Sequence, residues 1–221
     1  MPESIFNKPK YLTSAYPHRF AGSIHVTEMA GGIPTDPHVA EGWLKSKIAD
    51  KDDLIRDMVA ETMLERGVTA DEAAKLVDIH KHLNGFKRDE HGLYYEGRQL
   101  KAALKEAASI RFPGQKWGST RKGTLSFFPE HIFVVEDRLH LGVVEPTRIN
   151  QRFVSTWRGT GIQYEEVVED AKFDFTIISD FDFKAEEWAL LWLTAEQMGV
   201  GASRSQGFGR FVVTRWERLD K

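Results

Sequence analysis

Gly199-Val200-Gly201-Ala202-Ser203-Arg204-Ser205-Gln206-Gly207-Phe208-Gly209-Arg210-Phe211 is the stretch on which the reading of this chain turns. It follows an amphipathic run at 184–198 and leads into Phe211-Val212-Val213-Thr214, a β-rich segment. Four glycines in eleven residues let the backbone take positive φ and approach a ligand closely. Consecutive free N–H groups in such a loop can form an anion-binding nest. Arg204 and Arg210 add planar donor forks suited to phosphate. The same composition equally suits a tight helix-to-strand turn. The Gly-Lys-Ser/Thr ending of a nucleotide P-loop is missing, and the loop follows a helix, whereas the dinucleotide fingerprint follows a strand. Phosphate contact and plain turn both stand on these residues.

Working outward, residues 184–198 carry Trp188, Leu191, Trp192, Ala195 and Met198 on one helical face, a core stripe rather than a stacking platform. A second helix is expected at 98–109, with Leu100, Ala103, Leu104 and Ala107 inward and Arg98, Lys101 and Lys105 on another side. Its start offers orphan N–H groups to an anion. Strands are expected at 20–29, 131–135, 139–144 and 173–178, with a short extended piece at 92–97. Residues 1–18 read as an irregular arm and 30–37 as a loop. From His38 to about Leu83 the pattern is helical, broken at Gly67 and restarted by Thr69 with Glu72 three residues on. That block reads as a helical insertion that shields the sheet.

Two segments are basic and free of acids. Residues 111–122 hold Arg111, Lys116, Arg121 and Lys122 around Trp117, and residues 146–162 hold Arg148, Arg152 and Arg158 among Phe153 and Trp157. Basic residues interleaved with aromatics suit single-stranded nucleic acid, where phosphates pair and bases stack. For Trp117 a solvated loop with the indole packed on the body is the equal alternative. The eight histidines are scattered without metal-binding spacing.

The 221 residues suffice for one large domain or two small ones, and 41% apolar content excludes a disordered chain. A formal charge of −3 provides no global attraction to nucleic acid, so any such affinity must be local. With no cysteine, disulfides, thiolate chemistry and cysteine-ligated zinc are excluded, which fits a reducing, cytoplasmic compartment. No apolar run is long enough to span a membrane, and the first residues do not read as a secretory signal.

Three separated segments resemble the RAMP superfamily of CRISPR-associated proteins, especially its Cas7 branch of Csm3-like and Cmr4-like subunits. Leu93-Tyr94-Tyr95-Glu96-Gly97-Arg98-Gln99-Leu100-Lys101-Ala102-Ala103-Leu104 is similar to the family's conserved-type helix start, with Arg98-Gln99 in place of two serines and Ala102 in place of a glycine. Arg148-Ile149-Asn150 through Gly161-Ile162-Gln163-Tyr164-Glu165-Glu166-Val167 and Phe173-Asp174-Phe175 resembles a second segment, and the glycine loop a third. Order and spacing agree from residue 90 onward.

The resemblance implies an α+β chain with a ferredoxin-like (RRM-like) β-α-β-β-α-β core, a single RAMP/Cas7-like domain over 1–221. A helical insertion would fill 38–88, and a thumb-like basic extension 111–162. It implies binding of single-stranded guide RNA with little regard to sequence, head-to-tail self-association, and other CRISPR-type subunits as partners in an antiviral ribonucleoprotein. The RNA-binding residues would be Arg98, Lys101, Lys116, Trp117, Arg121, Arg148, Arg152, Gly201, Ser203, Arg204, Ser205, Gly207, Gly209 and Arg210. Two alternatives stand beside it. A Csm3-like endoribonuclease would use Asp36 in the loop after the first strand, with Mg as its metal. Asp36 before Pro37 reads more simply as a helix cap, and no cofactor is then needed. A structural assembly protein could also reuse the fold without RNA.

Overall fold

The computed structural model describes residues 15–34, 51–81, 83–115, 124–156 and 159–220. Its strands are β1 (His18–Ala30), β2 (Ile33–Pro34), β3 (Leu83–Gly85), β4 (Lys87–Asp89), β5 (Gly92–Glu96), β6 (Ile132–Val134), β7 (Arg138–His140), β8 (Arg148–Thr156), β9 (Gly159–Ser179) and β10 (Phe211–Arg218). Its helices are α1 (Lys51–Arg66), α2 (Ala70–Lys81), α3 (Gly97–Arg111), α4 (Thr124–His131) and α5 (Ala185–Met198). The chain divides into two compact units. The first takes in Met1–Met29, Arg88–Glu145 and Val168–Lys221, and the second Ala30–Lys87 and Pro146–Val167.

In the first unit β1, α3, β6, the second half of β9, α5 and β10 follow one another as β-α-β-β-α-β. The strands lie in the order β10–β1–β9–β6. β1 pairs antiparallel with β10, and β6 antiparallel with β9. Ser23 bonds Asp174 and His25 bonds Asp170, so β1 and β9 run in opposite senses. This is the ferredoxin-like core. The segments 131–135 and 139–144, neighbours in sequence, serve different sheets. β6 joins the core, whereas β7 pairs with β5 in a three-stranded sheet β4–β5–β7. The link between them is held by Glu136, whose carboxylate accepts the Thr176 N–H at 2.7 Å, and by the Asp137 carbonyl, which accepts the Gly97 N–H at 3.0 Å.

Both core helices start where their sequences allow local caps. The Glu96 N–H donates to Gln99 Oε1 at 3.1 Å at the head of α3, and the Lys184 N–H to Glu187 Oε2 at 2.8 Å at the head of α5. α3 buries Leu100, Leu104, Ala107 and Ala108, and α5 buries Trp188, Leu191, Trp192 and Ala195. The indole stripe is core. Trp216 of β10 stacks on Phe20 at 4.9 Å and 2°, and meets Trp188 at 5.0 Å and Trp192 at 5.2 Å. Phe175 of β9 closes the cluster against Trp192 at 5.5 Å. Truncating a buried aromatic of this kind costs about 3–5 kcal/mol, so this cluster fixes how α5 lies on the sheet.

In the second unit α1 ends at Gly67, whose φ is +61° and whose N–H returns to the Met63 carbonyl. Thr69 and Glu72 then form the reciprocal cap that their spacing predicts, with Thr69 Oγ1 donating to Glu72 Oε2 at 2.8 Å. β8 and the first half of β9 form a long antiparallel ribbon in register from Arg148↔Val167 to Thr156↔Gly159. β3 lies parallel to β9 and antiparallel to β2. The buried Glu166 carboxylate accepts the Phe86 N–H at 3.0 Å. Among the described residues no helix is long and apolar enough to cross a membrane.

The free ends of β1 and β10 are clasped by charge. Asp220 accepts the Arg19 N–H at 2.7 Å and Arg218 Nε at 2.9 Å, while Arg218 also donates to His18 Nδ1 at 2.7 Å. Burial disfavours the Asp220 carboxylate, but the Arg19 amide, Arg218 and His18 outweigh it and hold the group at about 2. A carboxylate whose pKa is lower folded than unfolded adds stability that is present at neutral pH and lost on acidification. Stability should therefore fall as pH drops from the ordinary 3.8 toward about 2, and Asp220→Asn should remove that part of the slope. Urea midpoints measured across this range check it; parallel curves for the two chains would show that the clasp contributes nothing.

Candidate nucleic-acid interface

The glycine loop is a built turn. The Gly199 N–H closes α5 onto the Ala195 carbonyl at 2.8 Å. The Val200 N–H donates to the Gly209 carbonyl at 2.8 Å, and the Gly209 N–H donates to the Glu28 carbonyl of β1 at 2.7 Å. Between these bonds Ser203 is left-handed at φ 54°, and Arg204–Gln206 form a single 3-10 turn. Within that turn the Gln206 N–H meets the Ser203 carbonyl at 2.9 Å, and the Gly207 N–H meets the Arg204 carbonyl at 3.0 Å. The amides of Gly199, Val200, Gln206, Gly207 and Gly209 are thus committed within the chain. What the loop presents outward is Ser205, Gln206, Gly207 and Arg210, all exposed, with Arg204 and Ser203 half-buried beside them.

The glycines are not interchangeable. At Gly209, φ is +78° and a methyl group would lie 1.8 Å from the Val200 carbonyl oxygen. At Gly207, φ is +98° but nothing lies within 4 Å of the same position. One glycine is required by close backbone approach and the other by conformation alone.

α3 stands beside this loop. Arg204 Nη2 lies 2.9 Å from Glu106 Oε2, with both side chains partly exposed. Beneath them Tyr95 of β5 is buried, its phenol bonded to the Gly201 backbone. Burial pushes that phenol up to about 12, against the opposing pull of the Gly201 bond and the Arg204 charge. At pH 7 Tyr95 is therefore a neutral strut that joins β5 to the loop. Neither Tyr95 nor Glu106 stands out in the sequence as a site residue. Tyr95 lies inside a quoted motif, but Glu106 has no local signal, because its partner is 98 positions away in the chain.

The other sequence-named residues separate into groups. Arg98 at the head of α3 is exposed and pairs with Glu96 at 2.8 Å, which raises its pKa. Lys101 turns inward, with Nζ 3.9 Å from the centre of the Phe133 ring, and burial lowers its pKa. In the second unit Arg148 and Arg152 share one face of the β8–β9 ribbon, as their even spacing dictates. Arg152 Nη2 donates to Gln163 Oε1 at 2.8 Å, and Nε lies 2.7 Å from Oε1 of the buried Glu165. The opposite face carries Phe153, 74% exposed, across from Ile162, with Ile149 also exposed. Lys116, Trp117, Arg121 and Asp36 lie outside the described residues. Among the described residues no group of histidine and carboxylate side chains could hold a metal ion.

No protein-family model matches this chain, and no curated protein matches it. Among solved structures it is similar to a chain of the Type III-B Cmr-beta complex bound to cognate target RNA, with a TM-score of 0.53 and 12% identity. The likeness takes in 96% of this chain and 63% of that one, so this chain spans less than two thirds of its neighbour's length. At that identity the likeness establishes a shared fold, in agreement with the strand order above.

Gly209→Ala should destabilise the chain by more than about 2 kcal/mol, because a backbone contact must break. Gly207→Ala should cost about 1 kcal/mol, the strain of a left-handed residue alone. Thermal or urea unfolding of the two variants checks this, and equal losses would mean that the Gly209 approach is not limiting.

Proposed function

We propose that this chain is an RNA-binding, Cas7-like backbone subunit of a CRISPR-type ribonucleoprotein. In this reading it grips guide RNA by its phosphates and assembles head to tail with copies of itself and other subunits. The observation that carries the reading is the outward arginine-bearing surface of the glycine loop. It is delivered by the second helix of a fold shared with a chain from a complex solved with target RNA bound. Contacts to phosphate position a strand without reading its sequence, and guanidinium forks and exposed loop amides suit that task. Arg204, Arg210, Ser205 and the head of α3 with Arg98 form the proposed contact surface of the first unit. The β8–β9 ribbon, with Arg148 and Arg152 on one face and Phe153 on the other, forms that of the second. Lys101 serves by holding α3 to β6.

Single-stranded RNA should bind with little sequence preference, and affinity should fall as salt rises because counterions are released. Changing Arg204 and Arg210 together to Ala should weaken all sequences alike and reduce the log–log salt slope by about 1.4, the value for two lost phosphate contacts on a single strand. Fluorescence anisotropy at several salt concentrations measures both. A folded double variant with unchanged affinity and slope removes the loop from the RNA surface.

Head-to-tail association follows from a heterologous interface that does not close. Light scattering should show RNA-dependent species that grow with RNA length. A strict monomer on long RNA at high protein concentration refutes the backbone role.

A further inference from the structure

We infer that Glu106 is an internal competitor for the RNA phosphate at Arg204, so that binding at the glycine loop is an exchange of one anion for another. The inference rests on the RNA-binding reading and concerns the same surface. Its basis is the ion pair between Arg204 Nη2 and Glu106 Oε2 at 2.9 Å. That contact joins the 3-10 turn of the loop to the penultimate turn of α3. Both partners remain open to water, with side-chain exposures of 32% and 48%, so a ligand can reach the guanidinium without unfolding anything.

The pair is held in place from below and behind. Tyr95 is buried under the loop, bonded to the Gly201 backbone, and senses the Arg204 charge. Ser109 Oγ donates to the Glu106 backbone carbonyl at 2.7 Å, one turn along α3. The loop backbone itself is fixed by the Gly207 and Gly209 bonds described above. Arg204 therefore has a fixed root, an accessible head and one carboxylate already seated on it. A carboxylate and a phosphate oxygen present the same planar acceptor pair to a guanidinium fork, so the Glu106 carboxylate marks where a phosphate would sit.

Exchange has two consequences. The chain binds RNA less tightly than its arginine count suggests, and Arg204 releases little counterion on binding, because no free anion is condensed there beforehand. Partly exposed ion pairs are weak, so the competition is modest and reversible. A phosphate-rich strand displaces the carboxylate, whereas isolated surface anions do not.

The test is Glu106→Gln, which keeps the size and the hydrogen-bond acceptor but removes the charge. RNA affinity measured by anisotropy should rise about two- to fivefold, the range expected for a partly exposed pair. The salt slope should steepen by about 0.7, one further phosphate on a single strand. Glu106→Ala should act in the same direction, which covers the case in which the amide holds Arg204 by itself. In the Arg204→Ala background neither change at Glu106 should matter. Circular dichroism melts of each variant confirm that it is folded. If the unchanged chain binds RNA and the Glu106 variants bind no tighter and with the same slope, the competition is refuted while the RNA reading stands. If affinity rises equally with and without Arg204, Glu106 acts as a general repelling charge and the exchange at Arg204 is refuted. If neither the unchanged chain nor Glu106→Gln binds RNA, the RNA reading and this inference fall together.

Discussion

The 2.7 Å hydrogen bond from the Gly209 N–H to the Glu28 carbonyl is the constraint on which the arrangement of the first unit depends. It ties the end of the glycine loop to the last turn of pairing on β1, one residue pair beyond Val26↔Phe211. The Gly209 carbonyl simultaneously accepts the Val200 N–H at the end of α5. One peptide thus joins the first strand, the second helix and the last strand of the core. Only glycine fits, because a side chain at φ +78° would strike the Val200 carbonyl. The loop between Val200 and Gly209 is left as a closed ring with a fixed base, and Arg204 rides on that ring.

The aromatic core explains why the ring stands where it does. α5 lies against the sheet through Trp188 and Trp192, which meet Trp216, Phe20 and Phe175 on three different strands. Rings of this size leave the helix little room to slide or rotate without opening a void. The C-terminus of α5 is therefore a fixed point, and the loop that leaves it reaches α3 at a defined place. Packing thereby sets which carboxylate Arg204 meets. The second indole surface, toward Phe183 and Phe128, encloses only a small apolar gap and holds no ligand-sized space.

Much of this was legible in the chain before its coordinates. The helical stripe of Trp188, Leu191, Trp192 and Ala195 announced a buried face, and alternation around Ile24 and Val26 announced a central strand. The Thr69–Glu72 spacing announced a cap. These signals are local, and local propensity agrees with the final fold at each of them. The pairing of β6 and β7 was not legible. Two short apolar runs separated by three polar residues look like neighbours, and only the Glu136 bond to the Thr176 amide sends them to separate sheets. The site was legible in part for the same reason. The glycine loop is a continuous motif, but the carboxylates that hold its arginine and that of the ribbon are set by tertiary approach and by register. Arg152 finds Glu165 one step diagonal from its paired residue Gln163, which follows only once the ribbon is aligned. Lys101 shows the opposite failure: its place in a basic helical face suggested solvent, yet it lies over Phe133.

Those pairings also resolve the tension between an acidic net charge and a surface read as RNA-binding. Arg98 is held by Glu96, Arg204 by Glu106, Arg138 by Asp89, Arg152 by Glu165 and Arg218 by Asp182 and Asp220. The carboxylates are not a uniform field that repels a polyanion. Each is spent on orienting a particular guanidinium, and the excess that gives −3 is distributed among these pairs and the solvated surface. A long-range field decays within about 8–10 Å at physiological salt, so what an approaching strand meets is the local arrangement and not the sum. Pre-oriented arginines lose less rotamer entropy on binding than free ones, at the cost of displacing a partner. A chain built this way holds nucleic acid weakly at any single contact. It gains affinity by repeating the contact along a strand, which is the behaviour a backbone subunit requires and an isolated high-affinity binder does not.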